Sequence, residues 1–374
     1  MKYIVNLIRL ALGVLFIFSG IIKMNDPMGF AFKLEEYFAE GVLNVPFFIP
    51  VALPFAIAIV IVEVLLGVWI LIGHWQKLTL WGLTLMMVFF DFLTFYSAYF
   101  DKVTDCGCFG DAIPLTPWES FGKDVMLSVM IAILWLGRKH MKPLMPGKGS
   151  MLLITSLVVA LSATFSSHVL HHLPVWDFRA YKPGTNVIEG MASAEELGLQ
   201  GPVYESYFVL VNSDGNRVEV SGTDYIDEKW YEKTEWQIVE DLTYSLKIAD
   251  GYEPPIHDFV IQLDGWDVTD SILALDQVNW LISFDMKQAN SDALVAMVRH
   301  AAEERAEGKH WVFMTSNNEE DIAALFDEAG ATLPASIMDG TALKTVVRSN
   351  PGVTEVDNAV IQRHWSHQDF LNSL

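Results

Sequence analysis

The hydrophobic pattern divides the chain near residue 172, because long apolar stretches occur only before that point. Five of them are long enough to cross a bilayer as a helix, which takes about 20 residues. They are Ile4–Ile22, Phe47–Gly73, Leu78–Phe100, Val125–Gly137 with its flanks, and Met151–Leu170. The fourth has a short apolar core, so we expect its helix to begin near Trp118, with Lys123 and Asp124 at the membrane interface. The pattern predicts an α-helical membrane bundle of four helices and a fifth span.

From residue 256 the pattern changes to short apolar runs alternating with amphipathic stretches, which is typical of a soluble α/β domain. The predicted strands are Phe259–Leu263, Trp280–Phe284, His310–Thr315, Val353–Val356 and Ala359–Trp365. The predicted helices are Ser291–Glu307, Glu319–Ala329 and Thr341–Arg348. Ser291 is the expected N-cap of its helix, since a serine side chain accepts a hydrogen bond from the first turn.

The segment between these two regions predicts a β-rich insert. Pro174–Gly201 is expected to be an extended tether. Val203–Val211 and Arg217–Val220 predict a hairpin, and Tyr225–Gly251 predicts further strands. The chain is therefore predicted to have four parts: a four-helix transmembrane domain at residues 1–145, a fifth transmembrane helix at 146–172, a tether with a β-rich segment at 173–255, and an α/β domain at 256–374.

Composition supports this division. Hydrophobic residues make up 52% of the chain, yet its net charge is −22 at pH 7. Residues 1–170 contain 11 Lys and Arg and 11 Asp and Glu, whereas the remaining residues contain 13 basic and 35 acidic ones. The first region suits a membrane, and the second suits an acidic domain in water. An acidic surface repels phosphate, which argues against a nucleic-acid partner.

The distribution of basic residues predicts the orientation in the membrane. The most basic loop joins the fourth and fifth stretches and contains Arg138, Lys139, Lys142 and Lys148. Such loops stay in the cytoplasm. The first stretch lacks a cleavage site of small residues, so we interpret it as a retained span with a cytoplasmic N-terminus. The loop at residues 24–46, the loop after Phe100 and everything after residue 170 then lie outside.

The chain has two cysteines, Cys106 and Cys108, which stand one residue apart in the loop after the third stretch. A disulfide across so short a spacer would be strained and readily reduced, which favours thiol–disulfide exchange. Two small buried side chains in a loop, or a soft-metal site for Cu(I), are the alternatives. Asp105 and Asp111 flank the pair and raise the pKa expected of a thiol, so the pair suits an acceptor disulfide better than an attacking thiolate.

Three ionisable residues, Arg9, Glu63 and Asp91, lie inside the apolar stretches, where charges are costly and need partners or a function. From the cytoplasmic boundary their depths are about 8, 15 and 20 Å at the rise of a helix. They predict either a proton path or the polar wall of a quinone pocket, or else a buried Arg9–Glu63 pair that orders the bundle. His168, His171 and His172 end the fifth stretch without a neighbouring Cys or carboxylate, so we predict no metal site there.

Several motifs in the first 140 residues match one known family. They are Arg9, Phe18-Ser19-Gly20 with Lys23, Asp26-Pro27, Glu63 with Gly67, and Cys106-Gly107-Cys108-Phe109-Gly110-Asp111. In these residues the chain resembles the DoxX/MauE-like four-helix membrane family. The resemblance implies quinone-linked or disulfide-linked redox chemistry in a bacterial inner membrane, with Cys106 and Cys108 as the redox pair.

Residues 256–370 follow the order strand, helix, strand, helix, Pro and hairpin, and in this they resemble membrane-anchored thioredoxin-like domains. The chain has Asp285-Met286 where such domains carry their dithiol, so the resemblance implies no exchange by this region itself. Asn350-Pro351 matches the family's cis-proline position. The resemblance therefore implies a periplasmic partner-binding surface that includes Asp285, Met286, Asn350 and Pro351.

Two functions follow from these observations. The first is a thiol–disulfide oxidoreductase of the bacterial inner membrane that uses Cys106 and Cys108, with a possible quinone cofactor near Glu63, Asp91 and Arg9. The second is an envelope scaffold without enzymatic activity, whose degenerate thioredoxin-like domain engages another protein. Both predict a lipid bilayer and an extracytoplasmic protein as partners.

Overall fold

The structure is a computed structural model, which describes residues 2–100, 102–103, 110–113, 115–144, 147–257 and 259–374. Cys106 and Cys108, the predicted redox pair, lie outside the described residues. The chain forms two compact units, residues 1–185 together with 260–374, and residues 186–259.

The N-terminal part of the first unit is helical. Its helices are α1 (Lys2–Asn25), α2 (Pro27–Phe38), α3 (Ala52–Ile72), α4 (Gln76–Phe100), α5 (Pro117–Gly137) and α6 (Lys148–His172). Among the described residues, five helices are long and apolar enough to cross a membrane: Lys2–Asn25, Pro46–Ile72, Gln76–Phe100, Pro117–His140 and Gly149–His172. The five predicted stretches are confirmed as candidate spans, and the fourth begins one residue before the predicted Trp118.

The expectation of a loop at residues 24–46 is wrong, because most of it is helix α2. Asp26 caps this helix by accepting a hydrogen bond from the Gly29 backbone N–H at 2.9 Å, and Pro27 occupies its first position. Phe30 and Leu34, one turn apart, are buried against α3 and its neighbours. Helix α2 therefore covers one end of the bundle, and Lys23 below it is inside the protein.

Glycines allow α1 and α3 to approach closely. A Cβ atom at Gly67 would lie 2.9 Å from the Gly13 carbonyl oxygen and 2.8 Å from Ile17 Cγ1, and one at Gly20 would lie 2.6 Å from Val64 Cγ2. Small residues at helix interfaces are a common means of membrane helix association, since lipid gives helices no hydrophobic reason to associate. The α1–α3 pair is therefore the closely packed centre of the bundle.

The predicted extended tether is wrong over residues 174–185, which pack as part of the first unit. Asn25 at the end of α1 exchanges two hydrogen bonds with the Trp176 backbone, at 2.7 and 3.0 Å. Arg179 is 4% exposed and donates to the Val346 carbonyl at 2.9 Å. Polar side chains thus fix this segment to both the membrane helices and the C-terminal region.

One histidine of the C-terminal region holds the same segment in its neutral form. His364 Nε2 lies 2.6 Å from the Tyr181 carbonyl oxygen, and its Nδ1 lies 2.9 Å from Thr354 Oγ1. Burial, aided by the nearby Arg179 charge, lowers the pKa of His364 to about 4. A neutral ring carries one N–H, so Nε2–H donates to the carbonyl and Nδ1 accepts from the hydroxyl.

The rest of the first unit is an α/β region. Its elements are β5 (Gln262–Leu263), β6 (Trp266–Asp267), α9 (Thr269–Leu273), β7 (Val278–Ser283), α10 (Ser291–Ala306), β8 (Trp311–Thr315), α11 (Glu319–Ala329), β9 (Ala335–Ile337), α12 (Gly340–Val346), β10 (Gly352–Asp357), β11 (Val360–Ser366) and α13 (His367–Ser373). The sheet order is β11-β10-β7-β8-β9, with β7, β8 and β9 parallel and β10 antiparallel to both of its neighbours.

Details of this region differ slightly from the prediction. The N-cap of α10 is Asn290 and not Ser291, because the Asn290 side chain accepts from the Ala293 N–H at 3.1 Å. The strand expected at Phe259–Leu263 is reduced to Gln262–Leu263. Its neighbour Ile261 instead donates its backbone N–H to the Thr269 hydroxyl at 2.8 Å. Side chains of α10, α11 and α13 form one apolar core against β7 and β8.

The second unit, residues 186–259, contains a sheet centred on one strand. Its elements are α7 (Val187–Met191), β1 (Val203–Asn212), β2 (Arg217–Ser221), α8 (Gly222–Asp227), β3 (Trp236–Ile238) and β4 (Tyr244–Ala249). β1 pairs antiparallel with β2, β3 and β4. The predicted hairpin is thus confirmed, with Tyr207 opposite Ser221 and Val211 opposite Arg217.

Replacing Gly67 with alanine is expected to lower the thermal stability of the detergent-solubilised protein. Overpacking a close interface costs about 1–3 kcal/mol, and the added helix propensity returns about 1 kcal/mol. Gly122→Ala is the matched control, because a Cβ at Gly122 on α5 meets nothing within 4 Å. Thermal unfolding followed by circular dichroism should rank Gly67→Ala below wild type and Gly122→Ala at or above it. Equal melting of the two variants would contradict the close α1–α3 contact.

Candidate functional site

The membrane charges predicted as a functional set separate into two places. Arg9 lies at the end of α3, where its Nε donates to the Ile70 carbonyl at 2.6 Å and its Nη1 donates to the Lys142 carbonyl at 2.8 Å. Its Nη2 donates to the Leu71 carbonyl. A cation at a helix C-terminus stabilises the unpaired carbonyls there. The alternative of a buried Arg9–Glu63 pair is therefore wrong, and Arg9 caps α3.

Glu63 pairs with Lys23 of α1. Lys23 Nζ lies 2.9 Å from both Glu63 carboxylate oxygens and 2.7 Å from Ser19 Oγ. The two residues are 3% and 4% exposed. The ammonium also lies 5.1 Å from the centre of the Phe90 ring, a distance that permits a cation–π contact. This ion pair is shielded from water by the helices around it.

A second polar group lies on α4 and α5, in the same half of the bundle. Asp91 Oδ2 accepts from the Ser128 hydroxyl at 2.6 Å, and Lys123 Nζ lies 3.0 Å from Asp124 Oδ1. Asp124 is 2% exposed. Since Asp124 and Ser128 are four residues apart on one helix, they share a face. Asp91, bonded to Ser128, is close enough to Asp124 for the two charges to repel each other.

A small cavity joins these two groups. Its lining includes Ser19, Lys23, Glu63, Lys123 and Asp124, and its volume is about 20 Å³. A site needs at least about 10–15 Å³ to hold one water molecule. The cavity therefore has room for one water beside the Lys23–Glu63 pair.

A third charged group lies where α2 meets the C-terminal α/β region. Arg348, just after α12, is 8% exposed. Its Nε lies 2.8 Å from Asp26 Oδ2 and its Nη2 lies 3.2 Å from Asp111 Oδ2. Burial lowers the pKa of Arg348, but the Asp26 and Asp111 charges raise it by more. We call Asp26, Asp111 and Arg348 the arginine cluster.

Further contacts extend the arginine cluster into an interface. Lys344 Nζ lies 3.0 Å from Glu35 Oε2 and 4.5 Å from the centre of the Phe32 ring. Phe32 of α2 also meets the Phe284 ring edge-on at 5.6 Å. The residue after β7 and the C-terminal end of α12 therefore lie against α2, and the Arg348–Asp111 pair links them to the segment that contains the cysteines.

The predicted partner-binding residues lie together, although most of their polar groups are used internally. Asn350 donates to the Asp285 carbonyl at 2.7 Å and accepts from the Ser283 hydroxyl at 2.8 Å. The Met286 N–H donates to Asn317 Oδ1 at 2.9 Å. The Asn350–Pro351 bond is cis, and Pro351 is buried. Binding of another protein by these residues stays a prediction.

The histidines at the end of α6 do have a carboxylate neighbour, contrary to the expectation. His172 Nδ1 lies 2.7 Å from Asp369 Oδ1 of α13. In the part of the chain that the structure describes, no group of three or more His, Cys, Asp or Glu side chains is arranged to hold a metal ion.

Sequence reasoning missed the partners of the buried charges. The Asp26-Pro27 pair is a helix-start signal that predicts α2 and with it a buried Lys23. The arginine cluster has no comparable signal, since Arg348 is 322 residues from Asp26 and 237 residues from Asp111.

Glu63→Gln is expected to destabilise the protein by about 3–5 kcal/mol, because it leaves the buried Lys23 ammonium without its partner. Replacing both members, as Lys23→Met with Glu63→Leu, should restore much of that stability, since an apolar pair needs no desolvation of charge. Thermal unfolding in detergent measures the stability of the single and the double variant.

Glu36→Gln is the matched control, because Glu36 pairs with Lys33 on the partly exposed face of α2. Such pairs contribute about 0.2–1 kcal/mol. Similar losses for Glu36→Gln and Glu63→Gln, or a double variant no better than Glu63→Gln alone, would contradict a stabilising buried pair.

Comparisons with known proteins place the helical region near one described family. Residues 1–137 match the family model described as methylamine utilisation protein MauE. The chain is 26% identical over 142 residues to protein TlpB of Flavobacterium psychrophilum, an alignment that covers 36% of the chain and 37% of TlpB. The chain thus spans well under two thirds of the length of this curated relative. No solved structure matches the chain. With its candidate spans, the chain is a membrane protein with a MauE-like N-terminal region and a C-terminal α/β region.

Proposed function

We propose that this protein is a redox-associated membrane protein that exchanges thiols and disulfides through Cys106 and Cys108. The MauE match over residues 1–137 includes both cysteines and supports this proposal. The observation that carries it is the Arg348–Asp111 contact, because Asp111 ends the segment Cys106-Gly107-Cys108-Phe109-Gly110-Asp111. A buried arginine thereby links the C-terminal region to the cysteine-containing segment.

In the proposed reaction, a thiolate of a partner protein attacks the Cys106–Cys108 disulfide and forms a mixed disulfide. The partner's second thiol then attacks that bond. The partner leaves oxidised to a disulfide, and Cys106 and Cys108 leave as two thiols. Arg348 contributes positive charge beside Asp111 and so offsets an acidic residue that would otherwise disfavour thiolate in this segment.

The C-terminal α/β region is proposed to be thioredoxin-like and to act as a docked positioning domain. Its strand order and the position of Asn350 beside Asp285, at the end of β7, support that interpretation. We keep as part of this proposal the four predicted parts of the chain, with boundaries after residues 145, 172 and 255. Phe284 of this region already contacts Phe32 of α2. The region is therefore proposed to dock first on the protein's own helix α2.

A quinone near Glu63, Asp91 and Arg9 stays a prediction, and the cavity beside Glu63 bears on only part of it. A quinone ring does not fit a cavity of about 20 Å³. Arg9 lies at another place, where it caps α3. A quinone thus remains a proposal for a surface outside this cavity, and the exchange above does not depend on it.

A second candidate function is a scaffold of the bacterial envelope without enzymatic activity. Two observations favour it. The chain has no cysteine after Cys108, so the α/β region has none, and the predicted binding residues of that region make internal hydrogen bonds. The two functions differ in whether a partner is captured covalently.

Single substitutions of the cysteines test the exchange. With Cys106→Ser or Cys108→Ser, the remaining thiolate should attack the disulfide of the oxidised partner, which is the reverse of the proposed exchange, and displace one of the partner's thiols. The partner should then stay bound as a mixed disulfide, because the second cysteine of this protein, which would release it, is missing. Non-reducing electrophoresis and mass spectrometry of the full-length protein after an acid quench measure this species. Wild type and the double Cys→Ser variant should show little of it. If neither single variant forms one and the double variant still complements loss of the protein, the scaffold function stands.

Arg348→Gln tests the role of docking in the same trapping background. We expect several-fold less mixed disulfide, because the buried contact with Asp26 and Asp111 is lost. Arg363→Gln is the matched control, since Arg363 of β11 lies over the Trp365 ring, 4.2 Å from its centre, outside the arginine cluster. Equal trapping by the two arginine variants would show that docking does not support exchange.

The proposed location is the bacterial inner membrane, with a cytoplasmic N-terminus and a periplasmic C-terminal region. The basic residues Arg138, Lys139 and Lys142 motivate this orientation. A reporter that is active only in the cytoplasm should be silent when fused after Leu374 and active when fused after His140. Activity after Leu374 would reverse the orientation.

A further inference from the structure

The half of the bundle nearer to α2 contains an unbalanced set of charged side chains. Its described residues include three carboxyl groups, Glu63, Asp91 and Asp124, and two ammonium groups, Lys23 and Lys123. Arg9 cannot balance them, because its guanidinium is bonded to carbonyl groups at the other end of α3. If every group were ionised, this set would carry one uncompensated negative charge within the membrane.

Such a charge is costly in a low-dielectric interior, and proteins commonly neutralise it by binding a proton. Two of the carboxylates are neighbours, since Asp91 bonds to Ser128 and Ser128 lies one helical turn from Asp124. Like charges at short distance favour one shared proton over two ionised groups. Glu63 differs, because both of its oxygens lie 2.9 Å from Lys23 Nζ.

Two carboxyl oxygens in this set have no hydrogen-bond partner among the residues that the structure describes. They are Asp91 Oδ1 and Asp124 Oδ2, and both are buried. Asp124, only 2% exposed, lines the cavity of about 20 Å³ that also borders Glu63. Leaving a buried oxygen without a partner is destabilising, so both oxygens need a proton, a water or both.

From this geometry we propose that Asp91 and Asp124 form a proton-binding site that holds one proton between them at neutral pH, with one water in the adjacent cavity. The proton removes the excess negative charge. The water bonds to the carboxyl group of Asp124, which lines the cavity. Lys123, whose side chain is 17% exposed, lies at the edge of the site and pairs with Asp124. The site consists of described residues and does not depend on the chemistry of the cysteines.

Infrared difference spectroscopy of the full-length protein in lipid nanodiscs tests this site. A protonated carboxyl group has a carbonyl stretching band that a carboxylate lacks, and this band shifts in D2O. Wild type should show one such buried group at neutral pH. Asp124→Asn and Asp91→Asn should each abolish the band, because each leaves two carboxylates and two ammonium groups.

Lys123→Met should act in the opposite direction and roughly double the band, since it leaves three carboxyl groups and one ammonium. Glu36→Gln, on the partly exposed face of α2, is the control and should leave the band unchanged. Absence of the band in wild type, or its persistence in both Asn variants, would overturn the proton site. If one of the two Asn variants fails to fold, the band of the other variant decides whether the site exists.

The same spectra taken with Cys106→Ser and Cys108→Ser together separate this inference from the proposed function. The band should be retained in that background, because neither cysteine contributes to the charge balance. A band that is present in wild type and missing only when the cysteines are replaced would mean that the proton belongs to the cysteine segment, which contradicts the site.

Discussion

An ionised side chain inside the hydrocarbon core of a bilayer has no water to solvate it, so the protein itself must supply its partner. Much of this bundle can be understood from that requirement. Arg9 bonds to carbonyl groups at the end of α3, and Lys23 bonds to Glu63. Gly13, Gly20 and Gly67 bring α1 and α3 close enough for these long side chains to reach across. The same requirement identifies the Asp91–Asp124 pair as the place where pairing is incomplete.

The arginine cluster solves a different problem, the attachment of a water-soluble region to a membrane bundle. Arg348 is buried and forms ion pairs with two carboxylates on separate segments of the chain. Buried pairs of this kind add little net stability, because desolvation offsets much of the attraction, but loss of one member is costly. Their effect is to favour one docked arrangement. In this protein that arrangement places the end of β7 and the C-terminal end of α12 against α2 and beside Asp111.

Much of the fold could be predicted from the sequence, because helices and strands are repetitive patterns of local origin. The candidate spans, the α/β order after residue 256 and the hairpin of β1 and β2 were found in this way. The helix that begins at Pro27 was missed although Asp26-Pro27 is a helix-start signal. Lys23 was also left out of the charges considered within the spans, so Arg9 was the partner weighed for Glu63 in place of Lys23. The residues 174–185 were predicted as a tether, since only tertiary contacts such as Asn25–Trp176 order them.

The sequence by itself determined which residues could carry chemistry: the Cys106–Cys108 pair, the charges within the spans, and Asn350-Pro351 near Asp285. The residue types and their local spacing are enough to identify these candidates. Only the tertiary structure decided which of them meet. A lysine or arginine side chain can reach several carboxylates at similar depth, and its choice depends on helix packing that no local pattern encodes. Contacts such as Arg348–Asp111 join residues more than 200 positions apart, and they exist because the folded chain brings those segments together.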